Sequence, residues 1–305
     1  MSGYIVSRLG QAVLIGLIIS LTTFLLLFVA KDPARALSRP DASAAEIEAL
    51  RVELGLDRPL AVQYGRGLGG GIRGDLGDSL YSGRPVAALL GDRIVASARL
   101  ASAAAVLTLL VGVPLGIAAA LRRGGAIDAL ATAIAVSGQA MPIFWLGLLL
   151  VVVFSVRLGW LPVSGAGSWR HLVLPGVTLG VSILPLTMRL TRSAMLEALG
   201  QDYVRTAHAK GVAPRTVTFK HALRNAATPV LLALGLQFGA LLGGAVVTET
   251  VFAWPGIGEL AVVAVTTADL PVVQAIVLFA AGVVVLANLV ADVLVAVVDP
   301  RVRYR

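Results

Sequence analysis

Three histidines, His171, His208 and His221, are the only imidazoles in a chain of 305 residues that contains no cysteine. Without a thiol, disulfides, thiolate catalysis and cysteine metal sites fall away together. The histidines form no HExxH pair, so a zinc hydrolase has no ligand set and no metal site is expected. Gly65, Gly67 and Gly70 fit GxGxxG, yet no strand precedes them and no βαβ unit surrounds them, which excludes a dinucleotide site. No GxxxxGK[ST] stretch occurs, so the chain has no loop to cradle ATP phosphates. What remains is a set of polar side chains in otherwise apolar stretches: Gln139, Gln237, Asn288 and Asp292, with Glu249 at a stretch end. Each is costly in hydrocarbon, so it faces a cavity, a solute pathway or a partner helix. Asn288 and Asp292 share a helical face at i,i+4. Gln237 and Glu249 lie roughly 120° apart if one helix carries both. Such groups coordinate a solute or bond between helices; no catalytic constellation accompanies them.

The elements that must hold these residues are set by composition. Hydrophobic residues make up 57% of the chain and charged residues 14%, against about 25% charged in an average soluble domain. Mean hydropathy is +0.88. Six apolar stretches, near 11–30, 98–121, 127–156, 172–190, 226–251 and 273–298, are long enough to cross some 30 Å of hydrocarbon as helices. Ala34-Arg35-Ala36 matches a small-x-small cleavage pattern, but the apolar region before it is too long for a secretory signal. The expected class is therefore an all-α polytopic membrane protein with six transmembrane helices. Residues 1–30 form the first helix, and 31–96 form a small extracytoplasmic domain. Residues 97–298 make a five-helix core, and 299–305 a cytoplasmic tail. Within 31–96, Ser43 to Leu54 reads as an amphipathic helix, and Leu54, Leu56, Leu60, Val62 and Tyr64 supply a small core. Prolines 114, 142, 175 and 185 predict kinks, and Gly112, Gly116, Gly235, Gly239 and Gly243 predict close helix approach.

The net charge of +8 would suggest a nucleic-acid partner in a soluble chain; here it orients the spans. Placing both termini inside puts Arg8, Arg122, Arg123, the seven basic residues between 189 and 224, and Arg301, Arg303 and Arg305 in the cytoplasm. The short outer loops then hold only Arg157 and Arg170. Residues 31–99 carry ten basic and nine acidic residues, and so contribute almost none of the net charge. N-in, C-in follows, with no nucleic-acid partner.

One inner loop, 193–225, is too long and too helix-prone to be a mere connector. Tyr203 to Lys210 reads as an amphipathic helix stopped by Gly211, and Pro214 suits the first turn of another helix through Asn225. Composition leaves open whether this knuckle is a solvated positive-inside loop or a docking surface.

The motif in it decides. Residues 203–226, YVRTAHAKGVAPRTVTFKHALRNA, resemble the cytoplasmic signature loop of ABC importer permeases, the EAA loop with its glycine. The likeness is greatest to the B-type subunit of the oligopeptide/dipeptide/nickel branch. LGLDRPLAVQY at 54–64, GDLGDSL at 74–80, MPIFWLG at 141–147, LGWLPVSG at 158–165, ETVFAWPGIGEL at 249–260 and DPRVRY at 299–304 agree in order and spacing. The pattern's glutamate, six residues before the glycine, is Arg205 here, followed by Thr206 and a retained Ala207. Its later proline is replaced at Leu223-Arg224. These departures are known in the peptide/nickel branch, and they put a glutamate-specific ATPase contact in doubt.

The resemblance implies a bacterial plasma-membrane permease subunit that imports dipeptides or oligopeptides, or else nickel chelates or other small solutes. Its implied partners are a homologous second permease, two ATPase subunits carrying ATP and Mg, an extracytoplasmic substrate-binding protein, and the bilayer. No cofactor is expected on this chain. Coupling to the ATPase falls on Arg205, Thr206, Ala207, Lys210, Gly211, Arg215 and Lys220; Gln139, Gln237, Glu249, Asn288 and Asp292 are the candidate pathway-lining residues. The rival of another class, an independent secondary transporter, would need inverted repeats and midplane ion-coupling residues. The chain has neither a convincing repeat nor many midplane charges.

Overall fold

A computed structural model describes residues 10, 13–14, 16–26, 32, 34–35, 38–39, 41–72, 74–243 and 245–298, with the side chains of 72 and 288–298 left out. Among these residues the secondary structure is helical with no strand; one isolated bridge joins Asp78 and Pro85. The chain is an all-α membrane protein. It divides into two compact units, one of residues 1–97, 242–250 and 255–289, the other of 98–241, 251–254 and 290–305.

The first unit holds α1 (Gly16–Leu26), α2 (Ala44–Glu53) and α3 (Leu60–Ile72). It also takes the opening turns of α4 (Val86–Leu121). The amphipathic helix expected over Ser43 to Leu54 is α2, with Ser43 as N-cap and Leu54 as C-cap. The capping box is complete: the Ser43 backbone N–H donates to Glu46 at 2.7 Å while the Ser43 hydroxyl accepts from the Glu46 N–H at 3.3 Å. Those bonds to the Ser43 backbone and hydroxyl hold the Glu46 carboxyl below its usual range. The expected core of this region is only partly realised, since Leu60 and Val62 are exposed. The main core of the unit is instead Val86, Leu90, Ile257, Leu260 and the Leu270–Ile276 region.

The second unit contains the rest of α4, then α5 (Ala126–Ala140), α6 (Ile143–Arg157, π-helical from Val151) and α7 (Arg170–Leu199). It continues through α8 (Asp202–Ala209) and α9 (Pro214–Leu242), the latter π-helical over Val217–Ala222. α10 (Val246–Val251), α11 (Ile257–Thr266) and α12 (Leu270–Val298) complete the chain. By length and composition α4, α7, α9 and Leu270–Ala287 of α12 can each cross a membrane, and α5 with α6 makes a fifth span if that bent pair counts as one.

Two apolar stretches that read as single spans are broken. The stretch 127–156 bends by 102° between α5 and α6. Met141 precedes Pro142 and is driven out of the helical region to φ −79, ψ 129. Pro114, Pro175, Pro185 and Pro229, by contrast, stay inside helices. The stretch 226–251 ends as α9 at Leu242, and a separate helix starts at Val246. Gln237 and Glu249 therefore do not share a helix, and the 120° relation does not apply. The following segment, expected to be an outer loop, contains α11 with Ile257, Gly258, Leu260 and Ala264 buried.

Close approach of α4 and α7 is built from small residues. A Cβ on Gly116 would lie 2.7 Å from the Met188 carbonyl oxygen, and one on Gly180 would lie 2.6 Å from Leu107. Thr108 donates its hydroxyl to Ala104 O at 2.9 Å and Gly180 O at 3.2 Å. Without a hydrophobic driving force between helices in lipid, such close packing and interhelical bonding hold spans together. Gly235 makes no such approach among the described residues, where nothing lies within 4 Å of a Cβ placed there.

Candidate functional site

α8 begins at Asp202, after Gln201, and runs two turns. It ends in a Schellman turn: Gly211 N donates to His208 O at 2.9 Å and Val212 N to Ala207 O at 3.2 Å. Gly211 has φ +72, with no atom within 4 Å of a Cβ placed there, so conformation and not space requires glycine. Pro214 then opens α9 at its first turn, as its fixed φ and missing N–H allow. The knuckle is anchored from beneath by Val204 and Val217, 2% and 1% exposed. Asn225 Nδ2 donates to the Tyr203 hydroxyl at 2.8 Å, tying α8 back to α9. A buried seat of Ile117, Ala120, Met195, Ala198, Ala222 and Ala226 lies under the same region.

The structure brings the sequence-derived coupling residues together on this knuckle. Arg205, Thr206, Lys210, Gly211, Arg215 and Lys220 are exposed, and Ala207 is half-buried. Arg205 makes an exposed i,i+3 pair with Asp202 at 3.7 Å, and Thr206 donates to Asp202 O at 3.0 Å. The segment is a hydrogen-bonded turn that carries exposed cationic side chains.

The candidate pathway residues are dispersed. Gln139 is exposed on α5. Gln237 is half-buried and donates to the Thr187 hydroxyl of α7 and to Ala233 O, both at 3.3 Å, so it bonds between helices. The side chains of Asn288 and Asp292 lie outside the described residues. Glu249 is fully buried on α10, where both carboxyl oxygens are engaged. Ser97 donates its hydroxyl to Oε1 at 2.7 Å, and the N–H groups of Gly258 and Glu259 reach Oε2 at 2.7 and 3.1 Å. The Ile257 N–H in turn reaches the Ser97 hydroxyl at 2.9 Å. Glu249 thus caps the first turn of α11 from outside that helix. Glu259, in the same turn, pairs with Arg93.

Two polar anchors escaped the sequence reading. Asp128, buried in the first turn of α5, accepts from Arg192 Nε at 2.7 Å and Nη2 at 2.8 Å, and from the Gly124 N–H at 2.9 Å. Its signal was an acid one residue inside an apolar stretch, opposite a basic residue counted only for topology. Asp269, also buried, accepts from the Ser79 hydroxyl at 2.5 Å and the Leu80 N–H at 3.1 Å, tying the 74–85 segment to the start of α12. Asp128→Ala removes a bidentate partner from Arg192 and is expected to lower the thermal midpoint in detergent by several degrees. Arg192→Ala should cost a similar amount, and the double variant less than the sum; strict additivity would contradict the pairing.

Residues 112–304 match the family described as the binding-protein-dependent transport system inner membrane component, and residues 1–101 match the N-terminal part of such membrane components. The glutathione transport system permease protein GsiC of Escherichia coli K12 is 44% identical over 306 residues, spanning 100% of both chains. GsiC of Shigella dysenteriae matches with the same identity and coverage. Among solved structures, the MetNI methionine ABC transporter in inward-facing conformations has a chain similar over 69% of this one and 96% of that one, with TM-score 0.56 at 18% identity, a likeness of fold. Full-length identity to permeases and a family match across most of the α4–α12 region lead to one assignment: the chain belongs to the binding-protein-dependent transport system inner membrane components, as a multi-pass permease subunit of an ABC importer in a bacterial inner membrane.

Proposed function

We propose that this permease carries short peptides inward, with separate ATPase chains supplying the work through the 193–225 segment. The observation that carries the cargo is full-length identity of 44% to permeases named for glutathione, a tripeptide. Nickel chelates or other small solutes are the alternative cargo within the same family.

Six spans, with both termini inside and 31–96 on the extracytoplasmic side, suit the distribution of basic residues. On this reading α8 and the Gly211 turn form a coupling helix facing the cytoplasm. Ala207 permits close approach to an ATPase cleft. Lys210, Arg215 and Lys220 offer charged contacts beside it, while Arg205 and Thr206 replace the acidic contact of the general pattern. Closure of two ATPases around ATP and Mg pushes this turn. A rigid Schellman cap transmits the displacement to α9 and to the Met195–Ala198 seat. This chain holds no ATPase site of its own. A second, homologous permease completes the pathway, and an extracytoplasmic binding protein delivers cargo to the 31–96 side. Gln139 keeps the pathway-lining role, whereas the bonds made by Gln237 and Glu249 support helix-positioning roles.

Affinity purification of the tagged chain from its native membrane is expected to bring two ATPase chains and a second permease with it. Uptake of a labelled dipeptide by the reconstituted complex with its binding protein should stop when ATP is omitted. Uptake that persists without ATP, driven by an ion gradient, would support a secondary transporter instead.

A further inference from the structure

We propose that a cavity in the first unit binds the charged ends of a small zwitterion, its carboxylate at Arg58 and Arg66 and its ammonium at Asp75. The proposal rests on the peptide reading above and deepens it, by giving the permease its own contact with the termini that every free peptide carries.

The cavity measures about 300 Å³, at the small end of the range for ligand sites. It is formed by consecutive turns of two helices together with the segments 54–58 and 75–80, which carry Arg58 and Asp75. On α3 the lining residues Gln63, Arg66, Gly67 and Gly70 recur at helical spacing and so share one face. On α12 the lining residues Leu270, Gln274 and Leu278 do the same. Gln274 reaches across to α3 at Gly67, where a Cβ would lie 2.7 Å from its Oε1. Phe24 and Leu278 contribute apolar wall.

Charge separates this cavity from a packing defect. Three other arginines of the unit are paired, Arg51 with Asp32 at 2.5 Å, Arg84 with Asp92 at 3.7 Å, and Arg93 with Glu259, whereas Arg35 and Arg39 do not line this cavity and have no carboxylate partner among the described residues. Among the described residues Arg58 and Arg66 have no such carboxylate, yet both line one cavity. Guanidinium groups bind carboxylates by charge-assisted, often bidentate hydrogen bonds. Asp75 lines the same cavity, and one of its oxygens is fixed by the Gly77 N–H at 3.0 Å. Two cations and an anion round a space of this size complement a carboxylate and an ammonium a few bonds apart. A phosphoethanolamine headgroup carries a similar pair of charges, and the test separates the two sources.

The complete transporter in nanodiscs, without binding protein, is probed by saturation-transfer NMR with dialanine, glutathione, dialanine amide and O-phosphoethanolamine. Dialanine or glutathione is expected to give a signal with the wild type, and the C-terminal amide a weaker one. Binding should fall about tenfold in Arg58→Gln/Arg66→Gln, the scale of losing charge-assisted bonds. Asp75→Asn should weaken dialanine but not N-acetyl-dialanine. An unchanged thermal midpoint in each variant separates lost binding from misfolding. Equal signals in wild type and double variant, no discrimination against the amide, or binding of phosphoethanolamine alone would each overturn the site. ATP-driven dipeptide uptake, measured in parallel, keeps the two ideas apart. Uptake with a silent cavity sinks only the cavity; binding without uptake sinks only the peptide reading.

Discussion

Gly256→Ala is expected to destabilise the folded permease by about 3 kcal/mol or more, the upper part of the range for forced overpacking. A Cβ at this position would overlap the carboxyl group of Glu249, which is itself fully buried and cannot swing into solvent. Moving Glu249 would also release the N–H groups of Gly258 and Glu259 and the Ser97 hydroxyl from their acceptor. Buried donors left unpaired cost about 1–3 kcal/mol. The variant must therefore accept either the clash or the orphaned helix start. Thermal unfolding in detergent, followed by fluorescence-detected size exclusion, measures the loss. Glu249→Gln, which keeps an oxygen for both N–H groups, should stay near wild type, while Glu249→Ala should not. Adding Glu249→Ala to Gly256→Ala should cost less than the two single losses combined, because the clash disappears with the side chain. Wild-type stability of Gly256→Ala would show that the carboxyl does not occupy this position in the folded protein.

The second large effect is on coupling, not on stability. Gly211→Val is expected to leave membrane insertion intact and to abolish substrate-stimulated ATP turnover by the assembled transporter. Left-handed backbone costs an L-residue roughly 1–2 kcal/mol, and a β-branched side chain tolerates it least. At φ +72 the strain is local, since no neighbouring atom crowds the site. It is relieved by unwinding the cap, at the expense of the bonds from Gly211 to His208 and from Val212 to Ala207. The exposed end of α8 then no longer presents one fixed shape to its partner. Gly211→Asn, which enters the left-handed region more readily, should retain most of the turnover. Normal substrate stimulation in the valine variant would sink the coupling role assigned to this turn.

Elements whose signal is local were legible in the chain of residues alone. The α2 helix was read from the apolar spacing over Ser43 to Leu54, and a helix occupies Ala44–Glu53 between those two caps. The stop at Gly211 and the start at Pro214 were read from residue type, and both occur where expected. Gly112 and Gly116 were read as sites of close helix approach, and α7 lies against them. Continuity of an apolar run was the weaker guide. A run looks the same whether one helix uses it or two, and the 102° bend between α5 and α6 and the end of α9 at Leu242 divide such runs. The bonds of Glu249 were not legible either. Its partners, Ser97 and Gly258, belong to different elements, and their separation in sequence carries no mark of their contact.

By itself the sequence determined the solvent and the machine. Apolar density required a bilayer, the distribution of arginines favoured one orientation, and ordered motifs placed the chain among importer permeases. These depend on composition and short-range pattern, which survive in one dimension. Only the tertiary structure decided which polar groups meet. It pairs Asp128 with Arg192, anchors Ser79 on Asp269, and sets Glu249 as the cap of α11. A buried polar group must find its partner wherever the fold brings one within 3 Å or so, and that distance is set by packing, not by position along the chain.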